Sequence, residues 1–440
     1  MRDRILQGIE FAVLALIVAY DIRMIAIYGT SWDNIAAYFN SLTMIGQSTY
    51  YEILREPLIQ LLIAPVAVFI KNIAEAIGIV TVSLSFAFFF AIKKLARSLG
   101  ISRMSAYAIS LSGIVIGYMS ILNATDILGA ITVILALAYY YEGKYTESSI
   151  LFGLSFLAKF TNLIFLFYLP FIFRGRGFLK SLGMILAINA PWFAANYMLY
   201  GNPFYGYLLA NKVFSSAHTF TYSQFLSAVQ SFFVLTYPFI IAFAAILIAL
   251  FMTRKSPGMK KFKNGVGVRD YALLAIALVE YVYVGSAQGF VAWLGYPLYI
   301  AFLVITLKVL AGFENEHGAV LAANSAAVVA ALAMISLSLI HSSMFYVGFS
   351  KQPTLWFSNN QNYPLALNYS YRLGCEDIYS NAWPYLMAYD AHVNSVFLPN
   401  IPAQSCVILF NTTKVGSEVN LTGSYGTIFS STNFSIVRKD

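Results

Sequence analysis

The sequence predicts an all-α polytopic membrane protein of about eleven transmembrane helices, N-terminus inside, with a small C-terminal outer-face α/β or β domain. Three observations carry this. Of 440 residues, 59% are hydrophobic and only 10% charged, against about 25% charged in a soluble domain. Apolar runs near the ~20 residues that cross a bilayer recur along most of the length. After about Tyr346 the character changes to polar sequence punctuated by Asn, Ser, Pro and Gly.

The first helix is expected from about Ile5 to Tyr28, behind Arg2 and Arg4. Its apolar run is followed by Asp21-Ile22-Arg23, not by a small-residue cleavage site, so it reads as a retained helix. Thr30 to Pro57 follows as a long polar loop carrying Trp32-Asp33-Asn34, Tyr38, Gly46, Tyr50-Tyr51 and Arg55-Glu56-Pro57. It is long enough to fold over a site. Pro57 to Lys71 is apolar but short and contains Pro57 and Pro65, which suggests an interfacial or re-entrant segment. Helices are expected at about Glu75–Leu95 and from Arg103 to near Leu122. Another follows Asn123-Ala124-Thr125-Asp126 and ends at the YYYEGKY turn.

Leu151 to Phe173 is one apolar region interrupted by Lys159-Phe160-Thr161-Asn162. It reads as two short helices with a polar tip. Further helices are expected at about Phe178–Tyr197, Phe232–Met252, Tyr271–Ser286, Val291–Leu310 and Ala319–Ile340, with a second long loop at 198–227. Basic residues fall on alternate connections: Arg2 and Arg4; Lys93, Lys94, Arg97 and Arg103; Lys144; Arg174, Arg176 and Lys180; and Arg254 through Arg269. The positive-inside rule puts those connections in the cytoplasm. The net charge of +8 is thereby explained without nucleic acid as a partner. Loops 30–57, 123–126 and 198–227 and the Lys159 tip then share the outer face.

The expected division is a transmembrane domain over 1–345 and an extracytoplasmic domain over 346–440. In the latter, VNSVFLP, CVILFN and GTIFSS read as short strands and EDIYSNAWPYLMAY as a strand, turn and helix start. Four N-x-[ST] sequons, at Asn368, Asn411, Asn420 and Asn433, fit an outward-facing surface. The two cysteines, Cys375 and Cys406, are either a disulfide, which an outer location permits, or two buried thiols. There is no Cys/His cluster of the kind that holds structural zinc, and His218, His317, His341 and His392 are scattered.

Few residues carry chemistry. Asp33 fits a solvated Asx-turn acid as readily as a catalytic one. Asp126 fits a helix start, where a carboxylate accepts backbone N–H groups, but acids at a membrane boundary are costly and often functional. On one face of the membrane the two can cooperate: one accepts a proton from an attacking hydroxyl, while the other orients it or helps hold a cation near a phosphate. Lys159 either snorkels to the surface or is buried and needs an anionic partner, which a lipid phosphate would supply. Arg55 either pairs with Glu52 or Glu56, or presents its fork to a phosphate. Glu280, inside an apolar helix, is expected to pair or hydrogen-bond within the bundle.

WDNIAAYFNSL…G…YYEILREPLIQLLIAP resembles the first outer loop of the C-type, multi-membrane-span glycosyltransferases, which include protein O-mannosyltransferase and lipid A aminoarabinose transferase relatives. Asp33, Tyr38, Gly46, Pro57 and Leu58 match its layout. NATDILGAI supplies the second acid, Asp126. Gly153 to Pro170 is similar to the family's G-L-x-x-x-x-K-x-x segment, with Lys159 as its lysine. Asn189 to Tyr205 is similar to the P-W…N-Y…G-N-P segment. The resemblance runs in order over about residues 1–310. One departure is WLGYPLY, where Gly295 precedes Tyr296 and relatives often carry Arg-Tyr; an expected phosphate-binding cation is absent.

The resemblance implies transfer of a monosaccharide from a polyprenyl-phosphate (dolichyl-phosphate type) donor to a glycan, lipid or protein acceptor, with inversion, on the extracytoplasmic face of the cell membrane. It implies Asp33 as general base with Asp126 in support, Lys159 and Arg55 on the donor phosphate, and Trp32, Tyr38, Asn123 and Asn196 as substrate contacts. It also allows a divalent cation (Mg or Mn) shared by Asp33 and Asp126. A transporter or lipid flippase would also explain spans and buried charges, but predicts two repeated halves, and no internal repeat is visible. A non-catalytic scaffold would leave Asp33 and Asp126 far apart.

Overall fold

The computed structural model describes residues 2–28, 32–47, 55–70, 72–111, 113, 124–209, 266–288, 295–312, 317–340, 362–382, 386, 393–395, 401–410 and 423–440. The helix expected at Phe232–Met252, most of loop 198–227 and Asn123 lie outside the described residues.

The stretch read as one polar loop contains a helix, and the short apolar segment after it is another. After α1 (Arg2–Tyr28) come α2 (Trp32–Met44) and α3 (Pro57–Phe69). Asp33 in the first turn of α2 complements the positive end of the helix dipole. The helix went unread because its buried face includes Asn34, Asn40 and Ser41, polar residues that interrupt the apolar pattern. α3 starts with Pro57 at its first position, where a missing N–H costs nothing. Ser41 Oγ donates to Gln60 O at 2.9 Å, tying α2 to α3.

α4 (Ile73–Ser98) is capped by Asn72, whose side chain accepts the Glu75 N–H at 3.2 Å. α5 (Arg103–Ser110) is capped by Ser102. α6 (Ala124–Tyr141) is buried along most of its length and packs against α4 and α7 (Tyr145–Ala158). Gly143, at φ +76°, makes the turn between α6 and α7 in a conformation that favours glycine.

The expected tip at Lys159 is a break. Lys159 is extended (φ −152°, ψ 120°) between α7 and a 3-10 helix, Phe160–Phe167. The end of α7 would expose unpaired carbonyls. Asn162 Nδ2 donates to Ser155 O at 3.0 Å, so the residue that follows the break also closes the helix. A short α8 (Leu169–Ile172) leads to α9 (Arg176–Tyr200). α7 and α9 approach closely at Gly153, where an added Cβ would lie 2.9 Å from Ile188 Cδ1. α10 (Val268–Gln288), α11 (Tyr296–Gly312) and α12 (His317–Ile340) complete the helical part.

Three described helices are long and apolar enough to cross a membrane: Glu75–Ser98, Ala124–Tyr141 and Arg176–Tyr200. α9 leaves Leu179 and Leu186 exposed, as a helix facing lipid does.

The tail holds α13 (Asn362–Arg372) and a five-stranded mixed sheet in the order β2-β1-β3-β5-β4. β1 (Ile378–Ser380), β2 (Asn394–Ser395), β3 (Cys406–Phe410) and β4 (Tyr425–Ser430) fall in segments read as strands, whereas β5 (Phe434–Lys439) was not anticipated. β1 is parallel to β2 and β3, and β5 is antiparallel to β3 and β4. Cys375 and Cys406 form a disulfide, which joins the end of α13 to β3.

Candidate active site

The polar residues of three distant segments meet where α2, α3 and α6 begin and α7 breaks. Asn34 Oδ1 accepts the Ala124 N–H at 3.0 Å. This bond fixes the start of α6, and with it Asp126, against α2. Asp33 is the neighbour of Asn34 in the first turn of α2. Its carboxylate is ion-paired with Arg55 Nη1, which lies just before α3. Gln60 Nε2 donates to Arg55 O at 3.0 Å, holding the turn that presents the guanidinium. Among the described residues Arg55 therefore pairs across the helices with Asp33 and not with Glu56; Glu52, the other expected partner, lies outside them.

Asp126 is wholly buried. Lys159 Nζ lies 3.0 Å from its Oδ1 and 3.7 Å from Glu56 Oε1. The Asp126 contact is a close, buried charge pair. Lys159 does not snorkel out. Its anionic partner comes from the protein, so burial alone does not demand a lipid phosphate. Glu56 Oε1 also accepts the Phe160 N–H at 3.4 Å, which anchors the break to the start of α3.

Glu56 went unrecognised as a site residue, although its place beside Arg55 and before a helix-starting proline was visible. Glu280 on α10 is buried and interacts with Thr161 and, electrostatically, with Asp126 and Lys159. Tyr296 OH donates to Asn162 Oδ1. The segment with Gly295 in place of the relatives' arginine thus still reaches the break. Gly129 on α6 makes room for it: a Cβ there would lie 2.9 Å from Asn162 Nδ2, 3.1 Å from Lys159 Cβ and 3.4 Å from Tyr296 OH.

Asp33 acts electrostatically on both Asp126 and Lys159, so the two acids share one locality. Their surroundings differ. The Asp33 side chain is 28% exposed and that of Asp126 0%. Asp33 is partly exposed, while Asp126 sits behind Lys159.

Three groups expected at a ligand have protein partners in the structure. A cation shared by Asp33 and Asp126 does not fit the donor set, because each carboxylate faces a basic side chain. No group of three His, Cys, Asp or Glu residues suited to a metal occurs among the described residues. Tyr38 is buried and its hydroxyl donates to Ile70 O at 3.3 Å; it packs α2 against the end of α3. Asn196 is buried, donating to Trp192 O at 2.9 Å and accepting the Gly206 N–H at 3.2 Å; it holds the turn after α9. Trp32 opens α2, with its side chain outside the described residues.

Among the described residues, four acids, Asp33, Glu56, Asp126 and Glu280, stand against two cations, Arg55 and Lys159. A phosphate entering here must compete with carboxylates already paired to those cations.

No family model and no curated protein sequence matches the chain. Solved structures do. ArnT from Cupriavidus metallidurans bound to undecaprenyl phosphate superposes with a TM-score of 0.61 at 10% identity, over 98% of this chain and 98% of that one. The apo state of the same protein gives 0.55 at 11% identity, over 98% and 97%. ArnT is the lipid A aminoarabinose transferase, a C-type membrane glycosyltransferase. Over nearly its whole length, this chain has an ArnT-like polytopic membrane fold.

Proposed function

We propose that the chain is a membrane glycosyltransferase. It moves a monosaccharide from a polyprenyl-phosphate donor to an acceptor hydroxyl on the outer face of the membrane, with inversion. The observation that carries this reading is the convergence of Asp33–Arg55 and Asp126–Lys159–Glu56 at one end of the helices within an ArnT-like fold. That neighbour binds undecaprenyl phosphate, the class of lipid the reading requires. The Cys375–Cys406 disulfide supports an oxidising, extracytoplasmic setting for residues 346–440, taken as a separate domain from 1–345. The exposed sequons at Asn368 and Asn433 agree with it.

In this mechanism Asp33 is the general base. Its carboxylate is held in place by Arg55. The donor phosphate competes for Arg55 and Lys159. As it takes the guanidinium, Asp33 is released to accept the proton of the attacking hydroxyl. The oxygen attacks the anomeric carbon opposite the phosphate, the carbon–oxygen bond to phosphate breaks, and the electron pair leaves on the phosphate. The two cations stabilise that growing charge. Asp126 and Glu56 keep Lys159 oriented before donor arrives.

The test is incubation of purified protein with labelled polyprenyl-phosphate sugars and a membrane extract. Label should pass from lipid phosphate to an acceptor, and Asp33→Asn should abolish most of the transfer. Label that never leaves the donor, across sugars and acceptors, would overturn the reading.

A further inference from the structure

A second polar site lies at the other end of the same helices. Asp126 and Tyr140 are both on α6, fourteen residues apart in number, which is about 20 Å of helix. Around Tyr140 is a cavity of about 620 Å³, walled by the end of α6, the start of α7, the turn after α8 and the first turns of α9 and α10. That volume is in the range of ligand sites. Four cations line it, Lys144, Arg174, Lys180 and Arg269, against a single acid, Glu147. Lys144 is paired with Glu142 at 2.9 Å, and Arg269 Nη1 donates to Tyr140 OH at 2.7 Å. Arg174 and Lys180 are exposed and form no ion pair with a described residue.

The floor is polar and buried, with Ser149 Oγ donating to Ser181 Oγ at 2.8 Å. Beyond it the wall turns apolar through Ile172 and Met184, and Leu179 and Leu186 continue outward along α9 as exposed side chains. Cations at a rim, hydroxyls below and an apolar flank together match a charged headgroup carrying hydrocarbon chains. The first-turn amides of α7, which has no side-chain cap, add partial positive charge.

We propose that this cavity binds the phosphate-bearing headgroup of an anionic membrane phospholipid, with its chains lying along α9. It is distinct from the Asp126–Lys159 site and does not depend on the enzymatic reading. Basic pockets between transmembrane helices on the cytoplasmic side recognise such headgroups by charge. Arg174 and Lys180 are the main contacts and Arg269–Tyr140 the inner wall.

Native mass spectrometry of the detergent-purified full chain tests this, with phosphatidylglycerol, phosphatidylcholine and inorganic phosphate as separate titrants. One phosphatidylglycerol should be retained in preference to phosphatidylcholine. The double variant Arg174→Ala, Lys180→Ala should weaken that retention about 10- to 30-fold, since each basic group near a lipid surface contributes about a factor of five. The conservative Arg174→Lys, Lys180→Arg should keep it. Inorganic phosphate that binds as tightly as the lipid, and is lost in the double variant, would support the phosphate site and assign it a soluble ligand. Equal retention of the two lipids, or retention unaffected by the double variant, would overturn the proposal. Both substituted side chains are exposed, and an unchanged thermal midpoint will verify that the variant is folded.

Discussion

Lys159 and Asp126 form a buried ion pair, 3.0 Å from Nζ to Oδ1, at the point where α7 breaks. The pair joins α6 to the extended residue between two helices. It brings two charged groups into a poor dielectric, which costs several kcal/mol per ion before their attraction is counted.

Removal of one partner should therefore be worse than removal of both. Lys159→Ala leaves Asp126 without its cation, a loss of about 3–5 kcal/mol, and Asp126→Ala leaves Lys159 with Glu56 alone at 3.7 Å, a smaller loss. The double variant Asp126→Leu, Lys159→Met should lose clearly less than the sum. Thermal unfolding in detergent reads this as a double-mutant cycle. An Asp126→Ala midpoint equal to wild type would remove the pair from the account.

Kinetics should separate the base from the phosphate contacts. Asp33→Asn keeps the shape of the side chain and removes its charge. Turnover should fall about 10²- to 10⁴-fold, the range for general acid–base groups. Donor binding should hold or improve, because Arg55 is freed from Asp33. Lys159→Ala should weaken donor binding as well as turnover. Full turnover in Asp33→Asn would exclude it as the base, and unchanged donor binding in Lys159→Ala would exclude the lysine as a phosphate contact.

Gly129→Ala tests the spacing of the site without touching a charge. The new Cβ would meet Asn162, Lys159 and Tyr296, the first at 2.9 Å. Overpacking of this kind costs about 1–3 kcal/mol. The thermal midpoint should drop, and so should donor binding, since Lys159 is displaced. Gly177→Ala, where an added Cβ meets nothing within 4 Å, is the comparison and should change neither.

The Cys375–Cys406 disulfide closes a loop of sequence separation 31. By the chain-entropy relation, such a crosslink contributes about 3–4 kcal/mol. A Cys375→Ser, Cys406→Ser variant should unfold its C-terminal region at lower denaturant, with the helical signal retained. Identical proteolysis patterns for variant and wild type would show that the crosslink contributes little.

Orientation has its own experiment. Ser424 is exposed beside β4, and both native cysteines are in the disulfide. Ser424→Cys should react with an impermeant thiol reagent on intact cells. Reaction only after lysis would place the C-terminal region, and the proposed outer-face chemistry with it, on the wrong side.

The sequence by itself determined the membrane class and the order of the main helices. It placed helices over Glu75–Leu95, Phe178–Tyr197 and Tyr271–Ser286, and all three lie within observed helices. Hydropathy is a local property, and a bilayer reads it directly. The motif order from Asp33 to Tyr205 pointed to the C-type glycosyltransferases, the fold that the solved structures share. Only the tertiary structure decided who pairs with whom. Arg55 belongs to Asp33, Lys159 to Asp126 with Glu56 beside it, and Tyr296 to Asn162. Those partners are separated by 22, 33, 103 and 134 positions, and no local pattern encodes a choice among several acids at such distances. The tertiary structure likewise gave Tyr38 and Asn196 backbone partners that the sequence did not reveal. A polar side chain in a loop-like segment looks free until the helix that buries it is known, and burial depends on segments far along the chain.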